Sequence, residues 1–136
     1  MITAVDTTVL SDILGGDPTY ARSSLDGLRR CLREGRIVAC DIDWSEIAAA
    51  FPDGQSAVTA LARLGVHFNA IGPEAAALAG QMWRSYRMAG GTRERMIPDF
   101  LIGAHAVQQA DRLLTRDHGF QRRYFPGLLV IDPTPS

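Results

Sequence analysis

The sequence ITAVDTTVL, residues 2–10, joins a short apolar run to an amphipathic helical pattern, with Asp6 at the junction. An apolar run of this length predicts a buried strand, and the spacing that follows it predicts a helix. In α/β folds, the carboxyl ends of parallel strands meet at the edge of the sheet where ligands bind. Asp6 is therefore predicted to lie at that edge.

The rest of the chain alternates predicted helices and strands with short connections. This alternation favours an α/β fold of three layers, α/β/α, in which helices cover both faces of a central parallel sheet of about five strands. The strand candidates are Ile2–Val5, Ile37–Cys40, Val66–Ala70, Arg112–Thr115 and Leu128–Ile131. A chain of 136 residues, nearly half of them apolar, fits a single domain over residues 1–136 better than two.

Local signals predict where the helices begin. Asp17 is expected to cap a second helix whose first residue is Pro18, because proline suits the first helical position. Asp43 is expected to cap the short third helix in the same way. Pro98 is expected to open the helix that carries Asp99, whose carboxylate is favoured in a first turn by the helix dipole.

The composition limits the classes of protein to which this chain could belong. No basic leader and no long apolar segment is present, which favours a cytoplasmic protein without a membrane span. Cys31 and Cys40 lack the spacing of a zinc site, so we expect buried free thiols, with one disulfide as the alternative. All 14 basic residues are arginine, which suits phosphate oxygens, although residue usage in an arginine-favouring genome explains most of them more simply.

Four acids stand at comparable junctions between predicted elements: Asp6, Glu46, Asp99 and Asp117. If the fold gathers them, each carboxylate disfavours ionisation of the others unless a cation compensates. Hard oxygen ligands select Mg²⁺ or Mn²⁺, whereas zinc would call for Cys or His. The sequence therefore predicts a divalent metal site built from these carboxylates.

Other polar residues have ordinary local explanations. Asp12 is expected on the outer side of the first helix, Asp43 is assigned its capping role, and Asp53 begins a turn with the glycine that follows it. Asp111 precedes a strand and is also assigned to a turn. His118 follows Asp117 directly, but a surface turn explains it as well, so it is not included among the ligands.

Four segments in this order resemble the PIN domain, a small α/β nuclease fold, and within it the VapC-type toxins of bacterial toxin-antitoxin pairs. The segments are VDTTVLSDIL, WSEIAAA around Glu46, PDFLIGAHAV around Asp99, and LLTRDHGFQRRYFPGLLVIDP. The resemblance implies that Asp6, Glu46, Asp99 and Asp117 bind metal and that Thr115 supports them through its hydroxyl. Thr8 stands where the family usually has asparagine; the expectation is that it supports Asp6 through its own hydroxyl, with a changed orientation of Asp6 as the alternative.

The expected activity is that of a Mg²⁺-dependent endoribonuclease, with Mn²⁺ as an alternative ion. A metal-bound water would attack the phosphodiester while an ion neutralises charge on the leaving oxygen. Asp6 is expected to bridge, Asp99 and Asp117 to complete the ligand set, and Glu46 to ligate through water or to help deprotonate the nucleophile. The candidates for holding substrate phosphates are Arg93, Arg95 and Arg116.

Two other functions remain as alternatives. One is a catalytically weak PIN-like module that binds RNA or a protein partner. The other is a phosphotransfer enzyme of the haloacid dehalogenase type, which is disfavoured because Thr8 occupies the place of its second aspartate and the chain lacks lysine. The expected partners, from the resemblance, are an RNA substrate, a cognate antitoxin and a second copy of the chain.

Overall fold

A five-stranded, all-parallel sheet forms the centre of the computed structural model, which describes residues 1–92 and 97–134. The strands are β1 (Ile2–Val5), β2 (Arg36–Ala39), β3 (Val66–Phe68), β4 (Arg112–Leu114) and β5 (Leu129–Ile131). Their order across the sheet is β3-β2-β1-β4-β5. The predicted fold class is confirmed, and every predicted strand is found within two residues of its expected ends.

Helices cover both faces of the sheet. They are α1 (Thr7–Leu14), α2 (Ala21–Glu34), α3 (Asp41–Ala48), α4 (Gly54–Arg63), α5 (Pro73–Met88), α6 (Ile97–Gln109) and α7 (His118–Tyr124). One apolar cluster joins the strands to α1, α2 and α4, and a second joins the opposite face to α6. Within the described ranges, no helix is long and apolar enough to cross a membrane.

The alternation of side chains along each strand explains the two clusters. Val5 and Leu114 point into the cluster with α1 and α2, while Ala4 and Leu113 point into the cluster with α6. Because successive strand residues face opposite sides, a continuous apolar run is buried on both. The short apolar runs of this sequence are therefore explained by a sheet covered on both faces.

Two predicted helix starts are wrong. The second helix begins at Ala21 rather than Pro18, because Asp17 accepts bonds from the backbone N–H groups of Thr19 and Tyr20 and holds a separate turn there. The third helix begins at Asp41, so Asp43 lies inside its first turn and Cys40 takes the capping position. In both cases the aspartate was predicted to be the N-cap, and the observed N-cap lies three residues away, at Tyr20 and at Cys40.

Asp12 does not lie on the outer side of the first helix. Its side chain is buried, with the residue only 3% exposed, and it accepts a bond from Ser24 Oγ at 2.7 Å. Arg116 donates to both of its carboxylate oxygens, at 2.6 and 2.9 Å. Asp12 therefore joins α1 to α2 and to the segment that follows β4.

The predicted state of the cysteines is confirmed. Cys31 and Cys40 are both buried and free. Cys40 Sγ donates to Asp43 Oδ2 at 3.3 Å, which places the second thiol at the start of α3.

Candidate metal centre

Asp6 lies at the carboxyl end of β1, the central strand of the sheet. Asp6 is only 5% exposed. Its Oδ2 accepts hydrogen bonds from Thr115 Oγ1 at 2.6 Å and from Thr8 Oγ1 at 3.0 Å. Burial raises the pKa of the Asp6 carboxyl, against the opposing effect of these two hydroxyls. The two threonines predicted to support Asp6 are therefore both in contact with it.

Glu46 faces the same edge from α3. Thr7 Oγ1, one residue after Asp6, lies 3.0 Å from Glu46 Oε1 and 2.8 Å from Asp43 Oδ1. A hydroxyl carries one proton, so these two carboxylates share a single donor. Thr7 thus connects the start of α1 to both acids on α3.

Asp43 is the acid that sequence reasoning missed. It is 1% exposed, and its Oδ2 accepts from the backbone N–H of Cys40 at 3.2 Å. Burial raises its pKa to about 7, with a further contribution from the negative charge of Asp6. Asp43 does take part in capping α3, because it accepts the Cys40 N–H from the third position of the helix, but only the chain fold brings it near Asp6.

Asp99 and Asp117 approach from the other side of Asp6. Asp99 lies in the first turn of α6, and Asp117 immediately precedes α7. Burial raises the pKa of Asp99 to about 6, and the charges of Asp6, Asp117 and Glu46 add to the effect. Burial and the charge of Asp6 also raise the pKa of Asp117, while the neighbouring His118 opposes the shift.

The fold places the four predicted acids in one region, at the carboxyl end of the sheet, near enough for Asp99 to be affected by the charges of the other three. Their donor atoms are carboxylate oxygens, which fit Mg²⁺ or Mn²⁺ with water completing the coordination. Among residues 1–92 and 97–134, no three His, Cys, Asp or Glu side chains stand close enough together to form a ready-made metal cage. The arrangement is thus an open acidic pocket whose charges repel one another.

The arginine candidates have different positions. Arg116 is paired with Asp12, and its guanidinium carbon stacks 4.0 Å from the centre of the Tyr20 ring. Arg93 and Arg95 fall outside the described residues. His118 Nε2 lies 3.0 Å from Asp132 Oδ2.

A parallel sheet with carboxylates gathered at its carboxyl edge defines an α/β protein with an acidic ligand site. A family model narrows the class further: the PIN domain model matches residues 3–126. Because this match covers most of the chain, the chain belongs to the PIN domain family. A comparison with curated protein sequences gives no match.

Solved structures share the fold at low identity. A chain of VapBC-1 from nontypeable Haemophilus influenzae gives a TM-score of 0.74 at 17% identity, covering 99% of this chain and 100% of that one. A chain of VapBC2 from Rickettsia felis, solved with a promoter DNA fragment, gives 0.73 at 17% identity, with coverage of 97% and 98%. VapC20 of Mycobacterium tuberculosis, a sarcin-ricin loop cleaving toxin, gives 0.51 at 15% identity, with coverage of 82% and 86%.

Proposed function

We propose that this protein is a Mg²⁺-dependent endoribonuclease and the toxin of a toxin-antitoxin pair. The observation that carries the proposal is the acidic pocket, where the charges of Asp6, Asp117 and Glu46 add to burial in raising the pKa of Asp99, and the charge of Asp6 adds to burial in raising that of Asp117. Keeping these groups ionised at neutral pH costs stability unless a cation joins them. A site of this kind therefore favours a role in metal-assisted chemistry over a role in stabilising the fold.

The acidic side chains of the site would have different roles in the reaction. Asp6, Asp99 and Asp117 would hold the ion, with Asp6 oriented by Thr8 and Thr115. A divalent ion bound there would supply an activated water and would neutralise charge on the leaving oxygen. Glu46 is exposed and bonded to Thr7, so it is placed to accept a proton from a water in the pocket.

The proposed partners come from the relatives. The matched structures from Haemophilus influenzae and Rickettsia felis are VapBC complexes, and VapC20 is described as cleaving an RNA loop. By analogy, this chain would act on RNA, would be held inactive by a cognate antitoxin and would form a homodimer. This step rests on likeness of fold, since one scaffold serves many substrates.

The direct test is to incubate purified, partner-free protein with structured RNAs, with Mg²⁺, with Mn²⁺ or with chelator. We expect cutting only with the ion. Asp6→Asn and Asp99→Asn should each lower the rate by roughly 100-fold or more, because changes around a metal site cost about 10- to 100-fold even outside the ligands.

The matched control is Asp53→Asn, which makes the same change at the cap of α4, where the Asp53 side chain accepts from Ser56. Asparagine caps a helix about as well as aspartate, so this variant should cut RNA at the wild-type rate. Cutting that persists in chelator, or in both site variants, would exclude the proposed mechanism. Metal-dependent RNA binding without cutting would favour the alternative of a binding module.

A further inference from the structure

Gln121 contacts the backbones of two acids in the pocket. Its main-chain N–H donates to the carbonyl oxygen of Asp117 at 3.4 Å. Its side-chain Nε2 donates to the carbonyl oxygen of Asp99 at 3.3 Å. One residue therefore connects the first turn of α6 to the residue that precedes α7, and these two segments carry acids that are 18 positions apart.

The surroundings of Gln121 are unfavourable for an amide. The residue is 1% exposed, and its Oε1 finds no donor among the residues that the structure describes. A buried carbonyl oxygen without a partner costs stability, and an apolar side chain of the same length would avoid that cost. The amide is thus poorly explained by packing alone, whereas its N–H group has a definite acceptor on Asp99.

The packing leaves Gln121 little freedom to move. Gly103 lies opposite, and a Cβ at that position would come within 2.3 Å of Gln121 Oε1. The main chain of Gln121 is also held, because its carbonyl oxygen accepts a hydrogen bond from the Phe125 N–H at 2.8 Å. The side chain is therefore held from several sides, which makes it suitable for fixing a distance between two backbone segments.

We propose that Gln121 is a positioning residue that sets the separation of Asp99 and Asp117 for metal binding, an inference that rests on the proposed function. The two carboxylates are on separate helices, and the direction of each depends on its own backbone. Releasing the Asp99 carbonyl would let the first turn of α6 shift relative to α7. Carboxylates that are held loosely bind an ion more weakly. An ion that is bound is still held by the same side chains.

The test replaces Gln121 by methionine, which has a similar length and no N–H group. We expect Gln121→Met to be at least as stable as wild type towards urea in chelator, because the unpartnered oxygen is removed. Its affinity for Mn²⁺, measured from the electron paramagnetic resonance signal of the free ion, should fall by about 10-fold. At saturating Mn²⁺ the rate of RNA cutting should return to near the wild-type value.

Gln109→Met is the matched control. Gln109 bonds to Asn69, Ala70 and Gly72 at the far end of α6, so its loss should lower stability and leave the Mn²⁺ affinity unchanged. Wild-type Mn²⁺ affinity in Gln121→Met would overturn the inference and leave the proposed function standing. A Gln121→Met protein that fails to fold would also overturn it, by showing a structural role. A wild-type protein that binds no Mn²⁺ and cuts no RNA would remove both proposals.

Discussion

Among the residues that the structure describes, Arg116 and Asp12 form the shortest ion pair, at 2.6 Å. The guanidinium reaches both carboxylate oxygens, and its face stacks on Tyr20. Because Asp12 is buried, its negative charge depends on this pair and on Ser24 for compensation. The pair ties the segment after β4, which contains Asp117, to α1.

We expect Arg116→Met to lower the free energy of unfolding by about 3 kcal/mol, because it leaves a buried carboxylate without its cation. Urea denaturation measures this change. Arg30→Met is the control: Arg30 pairs with Glu34 in an exposed position, where such a pair contributes roughly 0.2–1 kcal/mol. Unchanged stability in Arg116→Met, together with weaker RNA binding, would instead favour the predicted role of Arg116 in holding phosphate.

The raised pKa of Asp43 predicts how the stability of the protein depends on pH. In the unfolded chain its pKa is near the ordinary value of 3.8, and in the folded protein burial raises the pKa to about 7. Between these values the unfolded chain loses a proton that the folded protein keeps, so stability falls as the pH rises and then levels off above about 7. At about 1.4 kcal/mol per pKa unit, the loss is on the order of 4 kcal/mol.

Asp43→Asn should flatten this decline when unfolding is measured by urea at pH 5 and at pH 8, both in chelator. The comparison of slopes does not depend on the absolute stability of the variant. Asp53→Asn, at an exposed helix cap, should keep the wild-type slope. Equal slopes in wild type and Asp43→Asn would show that Asp43 is not the source of the pH dependence.

The individual side chains show why part of the site was predictable. Asp6 follows a buried strand directly, and such a position leads to one edge of the sheet in any parallel arrangement. Asp43 and Asp12 gave no comparable signal, because an acid near a helix start or on a short helix is usually at the surface. Their burial depends on partners far along the chain, Thr7 for Asp43 and Arg116 for Asp12.

Between helices, the close contact of α6 with α7 determines the position of the acids that these helices carry. The approach is possible because residue 103 has no side chain: a Cβ there would lie 2.3 Å from Gln121 Oε1 and 2.3 Å from Phe125 Cε2. Phe100 also packs on Phe120, with ring centres 5.1 Å apart. Side chains of α6 and α7 are therefore in contact at Phe100 and at Gly103.

Gly103→Ala should lower the free energy of unfolding by about 1–3 kcal/mol, because an added methyl group forces Gln121 and Phe125 apart. Gly80→Ala provides a control of opposite sign. Gly80 lies within α5 with open space around its Cα, so alanine should stabilise that helix by roughly 0.5–1 kcal/mol. Similar effects of the two substitutions in urea denaturation would contradict this account of the contact.

The order of the helices was predictable more readily than their ends. Pro98 is expected to open its helix, and α6 begins one residue before it, at Ile97. Asp17 and Pro18 form a turn before α2 instead of its first residues, since the side chain of Asp17 accepts bonds from the backbone N–H groups two and three residues further on. Such a competition between a turn and a helix start is decided by local hydrogen bonds that residue patterns do not specify.

For the molecule as a whole, the proposed metal site would make stability depend on divalent ions. Protons and metal would compete for the same carboxylates, because the pKa values of Asp6, Asp99 and Asp117 are all raised. At a concentration 100 times its dissociation constant, Mg²⁺ should stabilise the protein by about 2.7 kcal/mol at pH 8. The effect should be smaller at pH 5, where more of the carboxyl groups keep their protons.

Thermal unfolding with Mg²⁺, with chelator and with NaCl at matched ionic strength measures this stabilisation. Asp6→Asn should lose most of it, and Asp53→Asn should keep it. A stabilisation that NaCl reproduces would mean that general screening of charge, rather than a bound ion, is responsible.

The fold class was predictable because apolar runs and helical periodicity alternate along the chain. The order of the strands was not predicted. It places β1 between β2 and β4, so the first strand pairs with residues that follow it by more than a hundred positions, as in the pairing of Thr3 with Arg112. Local patterns carry no information about such distant pairings.

This strand order has a consequence for synthesis on the ribosome. Asp6 acquires the backbone bond from its N–H to the Leu114 carbonyl, and the hydroxyl of Thr115, only after β4 has been translated and has left the exit tunnel. At a synthesis rate of roughly 5–20 residues per second, β4 is made several seconds after β1. Asp117 follows β4 in the chain, so a nascent chain assembles the acidic pocket only after α7 has also emerged.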